Sequence, residues 1–349
     1  MAENRYTTVI VTRNRPEALA LSLPLHLQAR RLPAALLVID SSDDPAANRA
    51  LVERLQSTTP VPLHHVLSDS GMTVQRNLGL ARVRTEVVFF PDDDSLLLPG
   101  AIEAMLRIYD RDRDGIIGGV CAAASPVAPA GVIEGPRTPY RMTVTDRIRT
   151  RVAQPRRWIE NRLFPDPFLL LGERRYARLP AAPAWLAEEN AITVPWVGGF
   201  RMSFRTEVIR QIGFCEALGR YALFEDLDAG FQILRSHLLI GARNARIYHH
   251  KAPSPRANGR ALGAMQLLNR AYVIARSGQT DPDIQRAMRR FETYKIMQYR
   301  LGARGAFGRD RLAGAQAAAQ VTRQLLQASP DELDALYLDL RAACFVSEE

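Results

Sequence analysis

Four short apolar runs in the first 120 residues each stop at a polar or proline-bearing cluster, and each is followed by a segment of helical character. Residues 7–12 (TTVIVT) stop at Arg13-Asn14-Arg15-Pro16, and residues 36–40 (LLVID) stop at Ser41-Ser42-Asp43-Asp44-Pro45. Residues 63–67 form a weaker third run, and residues 86–90 (EVVFF) are halted by Pro91 and three aspartates. Short apolar runs bounded by turn residues read as buried strands. Helices are expected over 17–28, 46–56, 73–82 and 99–109, with a fifth strand over 116–120. Alternation of this kind pairs strands in parallel and covers both faces of the sheet with helices. In such sheets a ligand sits beyond the carboxyl ends of the strands. Three of those ends carry polar or acidic clusters, at 12–15, 40–44 and 92–94.

The pattern breaks over 121–195, a stretch rich in Pro, Ala and Arg that holds Trp158 and Trp185. It reads as an insertion with helices of its own, spanning about 125–194. Strand character returns at 196–204, followed by a helix over 206–212 and a second from Glu225 to about His237. A turn at Gly241 and a short strand over 246–249 complete this part. From Ala257 the chain reads as helices over 261–276, 282–301, 312–328 and 330–343. The expected organisation is an α/β domain over 1–255 and a helical C-terminal region over 256–349.

Charge divides the chain in the same place. Residues 1–130 carry 13 basic and 15 acidic side chains, whereas residues 256–323 carry 13 basic and only 4 acidic, within a net charge of +9. A basic C-terminal region suits an anionic partner such as phosphate-bearing lipid or an anionic glycan, or equally a solvated arginine-rich surface. Three scattered cysteines, Cys121, Cys215 and Cys344, exclude a disulfide framework and a cysteine-based zinc site. No apolar stretch approaches the length of a membrane span. With a β-like run beginning directly after Arg5, a cytoplasmic location is expected.

The residues able to carry chemistry are acidic. Three aspartates directly after a buried strand cannot be buried together uncompensated, so Asp92, Asp93 and Asp94 must be solvated, paired with arginine or neutralised by a cation. An all-oxygen cluster suits a hard divalent ion, Mn²⁺ or Mg²⁺, though an acidic turn before the helix near Pro99 has the same composition. Glu225, Asp226 and Asp228 open a helix, where the dipole favours acid regardless of function. Gly198-Gly199 lies upstream, as a bulge or as a place where a ligand approaches the backbone. His249-His250 closes a strand, and a neutral imidazole there can complete a carboxylate metal site.

Taken in order, these segments resemble the inverting family 2 glycosyltransferases of the GT-A fold. The matching stretches are VIVTRNRP at 9–16, LLVIDSSDD at 36–44, QRNLGLA at 75–81 and FFPDDDSLLLPGA at 89–101. WVGGFRMSFRTEVIRQIGF at 196–214, FEDLDAGFQILR at 224–235 and ARIYHH at 245–250 follow. The resemblance implies an α/β fold of GT-A type: a Rossmann-like, mostly parallel central sheet with helices on both faces, here with a helical C-terminal region. It implies transfer of a sugar from a nucleotide-sugar donor to a glycan or lipid-linked acceptor hydroxyl, with inversion, in cell-surface polysaccharide or glycolipid synthesis.

Residue by residue, the resemblance places Asp40 at the nucleotide base or ribose and Arg76 near the nucleotide. Asp92 would hold the nucleotide sugar and join Asp94 at the metal bridging the diphosphate, with Mn²⁺ or Mg²⁺ as cofactor. Thr12, Asn14, Asp93, Gly198 and Gly199 fall at the donor, and His249 or His250 would face the metal or the diphosphate. Asp226 would be the catalytic base, with Glu225 beside it. The basic and aromatic residues of 146–178, with the C-terminal helices, would face the acceptor or dock peripherally on an anionic membrane, the other reading of 146–178 being ordinary amphipathic packing against the core; no nucleic-acid partner is expected. The alternatives are a nucleotidyltransferase of similar sheet architecture, which the glycine-free loop at 13–16 disfavours, and a basic protein that binds nucleic acid or another anionic surface.

Overall fold

The computed structural model describes residues 5–132, 163–219, 221–252 and 258–345. One compact unit comprises Met1–Glu134 and Arg175–Pro255. Its centre is β1 (Tyr6–Thr12), buried along its whole length because it lies between parallel neighbours on both sides. Those neighbours are β2 (Ala35–Asp40) and β4 (Val87–Pro91), and β3 (Leu63–Leu67) adds in parallel to β2. Helices α1 (Pro16–His26) and α2 (Ala46–Gln56) cover one face, packing Leu19, Leu23, Leu51 and Val52 on Ile10, Leu36 and Val38. Pro16 starts α1 where its missing N–H costs nothing. Helix α3 (Met72–Leu80) follows β3 and packs on β1 and β2. In this half the sequence expectation holds, and the register Thr12↔Asp40 brings two strand ends level.

Beyond β4 the parallel expectation gives way to a mixed sheet of order β3-β2-β1-β4-β8-β6-β9-β5, with β7 also on β9. Strand β8 (Arg201–Arg205) runs antiparallel to both β4 and β6 (Ile117–Ser125). Strand β9 (Leu238–His249) is parallel to β6 but antiparallel to β5 (Ser95–Leu97) and β7 (Ala191–Thr193). Strand β7 therefore belongs to the sheet although it falls within the stretch read as an insertion. Helix α4 (Ala101–Arg111) buries Ile102, Met105, Leu106 and Tyr109 in the core, and α5 spans Pro167–Tyr176. Helix α6 (Thr206–Ile212) follows β8 directly, and α7 spans Glu225–Ile233. The expected turn at Gly241 is absent: Gly241 sits within β9, where a Cβ would stand 2.8 Å from Val194 Cγ1. The glycine marks a close approach inside a strand.

The second compact unit comprises Gly135–Arg174 and Arg256–Glu349. It contains α8 (Gly259–Arg276), α9 (Pro282–Leu301), α10 (Gly305–Gln327) and α11 (Pro330–Phe345). Asn258 Oδ1 accepts from Ala261 N at 2.8 Å to cap α8, and Asp281 caps α9 ahead of Pro282. Helices α8 and α10 touch backbone to backbone: a Cβ on Gly263 would overlap Arg311 O, and one on Gly314 would overlap Arg260 O. Tyr272 and Tyr337 stack with centroids 3.8 Å apart, and Tyr337 Oη donates to Asn269 Oδ1 at 2.8 Å. The Arg270 guanidinium lies 4.0 Å from the Phe168 ring and 4.2 Å from the Phe291 ring. No helix among the described residues is long and apolar enough to cross a membrane. Of the basic and aromatic residues singled out over 146–178, Arg147, Arg149, Arg151, Arg156, Arg157, Trp158 and Arg162 lie outside the described residues.

Candidate active site

The loops after β1, β2 and β4 meet at the carboxyl edge of the sheet, where one turn of α3 fastens them. Gln75, Arg76 and Asn77 are consecutive, and each reaches a different segment. Buried Gln75 donates from Nε2 to Thr12 O at 2.9 Å and Ile39 O at 2.8 Å, tying the ends of β1 and β2. Asn77 Nδ2 donates to Phe214 O at 2.9 Å, and its Oδ1 accepts from Phe214 N at 2.8 Å. Between them Arg76, only 1% exposed, pairs with Glu225, reaches Asp92 Oδ1 at 3.1 Å and lies over the Phe214 ring. Of the three, sequence reasoning assigned a role to Arg76 alone. Polar residues at successive helical positions on a half-buried helix were the available signal for the others.

Helix α7 begins in strained backbone, with Ala222 at φ 45° and Phe224 at φ 77°, both left-handed without being glycine. Such conformations persist where surrounding contacts over-determine them. Here the result is to present Glu225 and Asp226 together. Glu225 is buried and committed to Arg76. Half-buried Asp226 accepts from Gly199 N at 2.8 Å and from Leu227 N at 2.9 Å, and carries no salt bridge among the described residues. Burial first, and then the Glu225 charge, push the Asp226 carboxyl up to about 7 against the opposing pull of Arg76. A Cβ on Gly199 would sit 3.2 Å from Glu225 Oε1 and 3.4 Å from Asp226 Oδ2, so a side chain there would crowd both carboxylates. Gly198 instead backs onto Arg201, whose N donates to Gly198 O at 3.0 Å.

The aspartyl triplet divides into outward and inward members. Asp92 keeps 26% of its side chain exposed, and burial raises its pKa despite Arg76. Asp93 turns inward: Thr12 Oγ1 donates to its Oδ2 at 2.7 Å, Arg15 pairs with its Oδ1 at 2.7 Å, and burial pushes it up to about 7. Thr12 and Asp93, expected at the donor, therefore hold each other and the loop. Asp94 Oδ2 accepts from Arg15 Nη2 at 2.6 Å and from Ala252 N at 3.0 Å. Its Oδ1 faces His249 Nε2 at 3.3 Å and takes no well-formed hydrogen bond. Burial opposes ionisation of Asp94, but His249 and Arg15 outweigh it and hold the carboxyl below its ordinary value. The triplet is thus compensated by Arg15 and Arg76, and Arg15 carried no assigned role in the sequence.

Asp40, expected at the nucleotide, is fully buried. It accepts from Ser42 N at 2.8 Å, from Asn48 Nδ2 at 2.9 Å and from His65 Nε2 at 2.9 Å. Burial raises its pKa, yet these donors outweigh that and keep it low. Both oxygens serve the fold, so Asp40 positions the loop rather than reaching into the cleft. Asn14, left-handed at φ 52°, donates from its N to Ser42 Oγ at 2.8 Å and exchanges side-chain hydrogen bonds with Asp43. It locks the loop after β1 to the loop after β2.

Asp92, Asp94 and His249 offer three ligand atoms all within 4.8 Å of one another. His249 stacks on Phe200, with centroids 4.5 Å apart, and lies opposite Ser95 in the β5–β9 register. His250, the other candidate ligand, is not in this group: it lies past the end of β9, and its N donates to Asp94 O at 3.0 Å. Two carboxylates and one imidazole, with the buried Asp94 Oδ1 lacking a full partner, fit a hard or borderline dication such as Mn²⁺ or Mg²⁺.

Residues 7–151 match the sequence profile of Glycosyl transferase family 2. The match spans 145 of the 349 residues, so the likeness is to this family over that stretch. No curated protein sequence matches this chain. Among solved structures it is similar to TarS residues 1–349 of S. aureus, at 12% identity and TM-score 0.50, over 97% of this chain and 90% of that one. A mannosyltransferase of Pyrobaculum calidifontis, solved with GDP-Man and Mn²⁺, is similar at 17% identity and TM-score 0.50, over 97% and 86%. GalNAc-T7, solved with UDP, GalNAc and Mn²⁺, has TM-score 0.54 at 13% identity, over 96% of this chain but 54% of that one. At these identities the likeness is one of fold, and the fold is of GT-A type.

Proposed function

We propose that this protein is a glycosyltransferase that moves a sugar from a nucleoside-diphosphate donor to a hydroxyl of a glycan or lipid-linked acceptor, with inversion at the anomeric carbon and dependence on Mn²⁺ or Mg²⁺. The observation that carries this reading is the pair of acidic groups joined by Arg76: the Asp92, Asp94 and His249 cluster on one side, and Asp226 at the start of α7 on the other. Support also comes from the nucleotide sugars and Mn²⁺ bound by the solved structures of similar fold.

Asp92, Asp94 and His249 would hold the dication, which when bound supplies Lewis-acid stabilisation of the charge gathering on the diphosphate. Arg15 keeps Asp94 ionised and aimed, and Asn14 holds the adjoining loop for the nucleotide. Arg76 fixes Glu225 and Asp92 in place, leaving Asp226 as the carboxylate free to accept the acceptor proton. Attack from the face opposite the leaving diphosphate inverts the anomeric centre, and a base with a pKa near neutrality suits that proton transfer.

Calorimetric titration with UDP, GDP and dTDP, with and without Mn²⁺, tests the reading, followed by hydrolysis of the corresponding nucleotide sugars. One nucleoside diphosphate is expected to bind at least about tenfold more tightly with Mn²⁺ present. Failure of all three to bind under both conditions overturns the reading.

A further inference from the structure

We propose that the turn joining α9 to α10, with the adjoining surface of α9, is a docking site for an anionic phospholipid bilayer. The sequence already set the basic C-terminal region apart, and the structure gives that charge an apolar partner. Leu301, the last residue of α9, is 78% exposed; Met297, one turn earlier, is 46% exposed; Phe307, in the first turn of α10, is 50% exposed. Isolated exposed apolar side chains need no explanation, but three large ones within eleven residues around a single turn do. The turn itself is tight. A Cβ on Gly308 would stand 3.0 Å from Gly302 O and 3.2 Å from Ala303 Cα, so the ends of the two helices close directly on each other.

The surrounding charge names the occupant. Residues 284–311 carry eight basic side chains and two acidic ones. One of those two, Glu292, is buried and accepts from Thr322 Oγ1 at 2.6 Å. Arg289, Arg290, Arg300, Arg304 and Arg309 are all exposed. A second observation bears on the same helix: Phe164 stacks on Tyr294 of α9, with centroids 5.1 Å apart, and its neighbour Leu163 is 54% exposed. The described end of the basic and aromatic segment thus meets α9.

Large apolar side chains set among guanidinium groups match a lipid interface. There the apolar groups pass below the headgroups while arginines meet the phosphates. A neutral protein partner would leave the arginines unanswered, and a second copy of the same surface would oppose like charges. The inference depends on the lipid-linked acceptor of the proposed function for its purpose, but its test uses neither donor nor acceptor, so the two can fail separately.

The full chain is floated on a density gradient with phosphatidylglycerol-rich vesicles and, separately, with phosphatidylcholine vesicles. The wild type is expected to float with the anionic vesicles alone, and less at high salt. Leu301→Glu with Phe307→Glu, and independently Arg300→Glu with Arg304→Glu, are expected to lower the bound fraction at least about tenfold. Thermal midpoint and nucleotide-sugar hydrolysis in solution should be unchanged in both, since all four side chains are exposed. The proposal is overturned if the wild type stays at the bottom of the gradient with anionic vesicles. It is equally overturned if both double variants float as the wild type does. Loss of a concentration-dependent dimer in the apolar variant, with flotation unaltered, reassigns the surface to a second copy and also overturns it.

Discussion

Arg76 and Glu225 form a buried ion pair that links the third helix to the start of the seventh, and the same guanidinium lies 3.1 Å from Asp92 at the end of the fourth strand. One cation therefore holds both acidic groups of the site. Replacing Arg76 by Ala leaves Glu225 uncompensated in the interior, a loss of about 3–5 kcal/mol for a buried pair broken on one side. The expected result is a thermal midpoint lower by roughly 10 °C, with transfer abolished. Arg76→Lys should rescue little of either, because a lysine cannot reach two carboxylates through separate nitrogens. Differential scanning calorimetry of both variants checks the first outcome.

Asp226→Asn should keep donor affinity and lose transfer by about 10²–10⁴-fold, the contribution of a positioned base. With the carboxyl pushed up to about 7, the wild-type rate should fall about tenfold per pH unit below that value, as the base protonates. Stability runs the other way. A carboxyl whose folded pKa is raised favours the fold while protonated; that contribution is complete below its ordinary range near 4 and is lost as pH rises through about 7. Asp226→Asn should therefore melt higher than wild type at pH 8 and equally at pH 4.

His249 and His250 are adjacent, but only His249 groups with Asp92 and Asp94. His249→Ala is expected to weaken Mn²⁺ binding by about 10–100-fold, whereas His250→Ala should change it by less than about threefold. Calorimetry with Mn²⁺ in the presence of the preferred nucleoside diphosphate separates them. Equal losses in the two variants would move the site away from the strand end.

Arg15 compensates Asp93 and Asp94 together. Arg15→Gln should destabilise the metal-free chain, and more at pH 8.5 than at pH 5.5. Asp93 is pushed up to about 7, so at the lower pH it is protonated and asks little of Arg15, while at the higher pH its charge is left bare. Thermal melts in chelator across that range provide the measurement. A gap between variant and wild type that narrows with rising pH contradicts this account of Asp93.

Alanine normally stabilises a helix relative to glycine by about 1 kcal/mol. At Gly263 and Gly314 the sign should reverse, because each Cβ would overlap a backbone carbonyl of the opposing helix, Arg311 O or Arg260 O, which no rotamer can move aside. A loss of about 1–3 kcal/mol or more is expected for either substitution. Gly278→Ala, at φ 71° with open space around it, should cost only the strain of its backbone.

The acidic groups could be read in advance because three charges directly after a buried strand have no inexpensive place in a sheet core. Arg15 could not: an arginine before proline looks like any turn residue, and its role exists only once residues 93, 94 and 252 converge on it. Periodicity locates strands without giving their direction. Strand β8 was therefore found, yet its antiparallel insertion between β4 and β6 was not. The three residues of β5 carry too short a pattern to register, and their pairing partner lies some 150 positions away at His249. Asp40 was correctly placed at a strand end but turns inward, since Asn48 and His65 supply donors that composition cannot reveal.

Because Gln75, Arg76 and Asn77 leave one helical turn in three directions, their attachments stand or fall as a set. Adding or deleting a single amino acid at the head of α3 would swing all three by about 100°, cutting the strand tips, both carboxylate groups and the Phe214 loop loose in one stroke. Substitution along this helix is thereby confined to changes that preserve its phase.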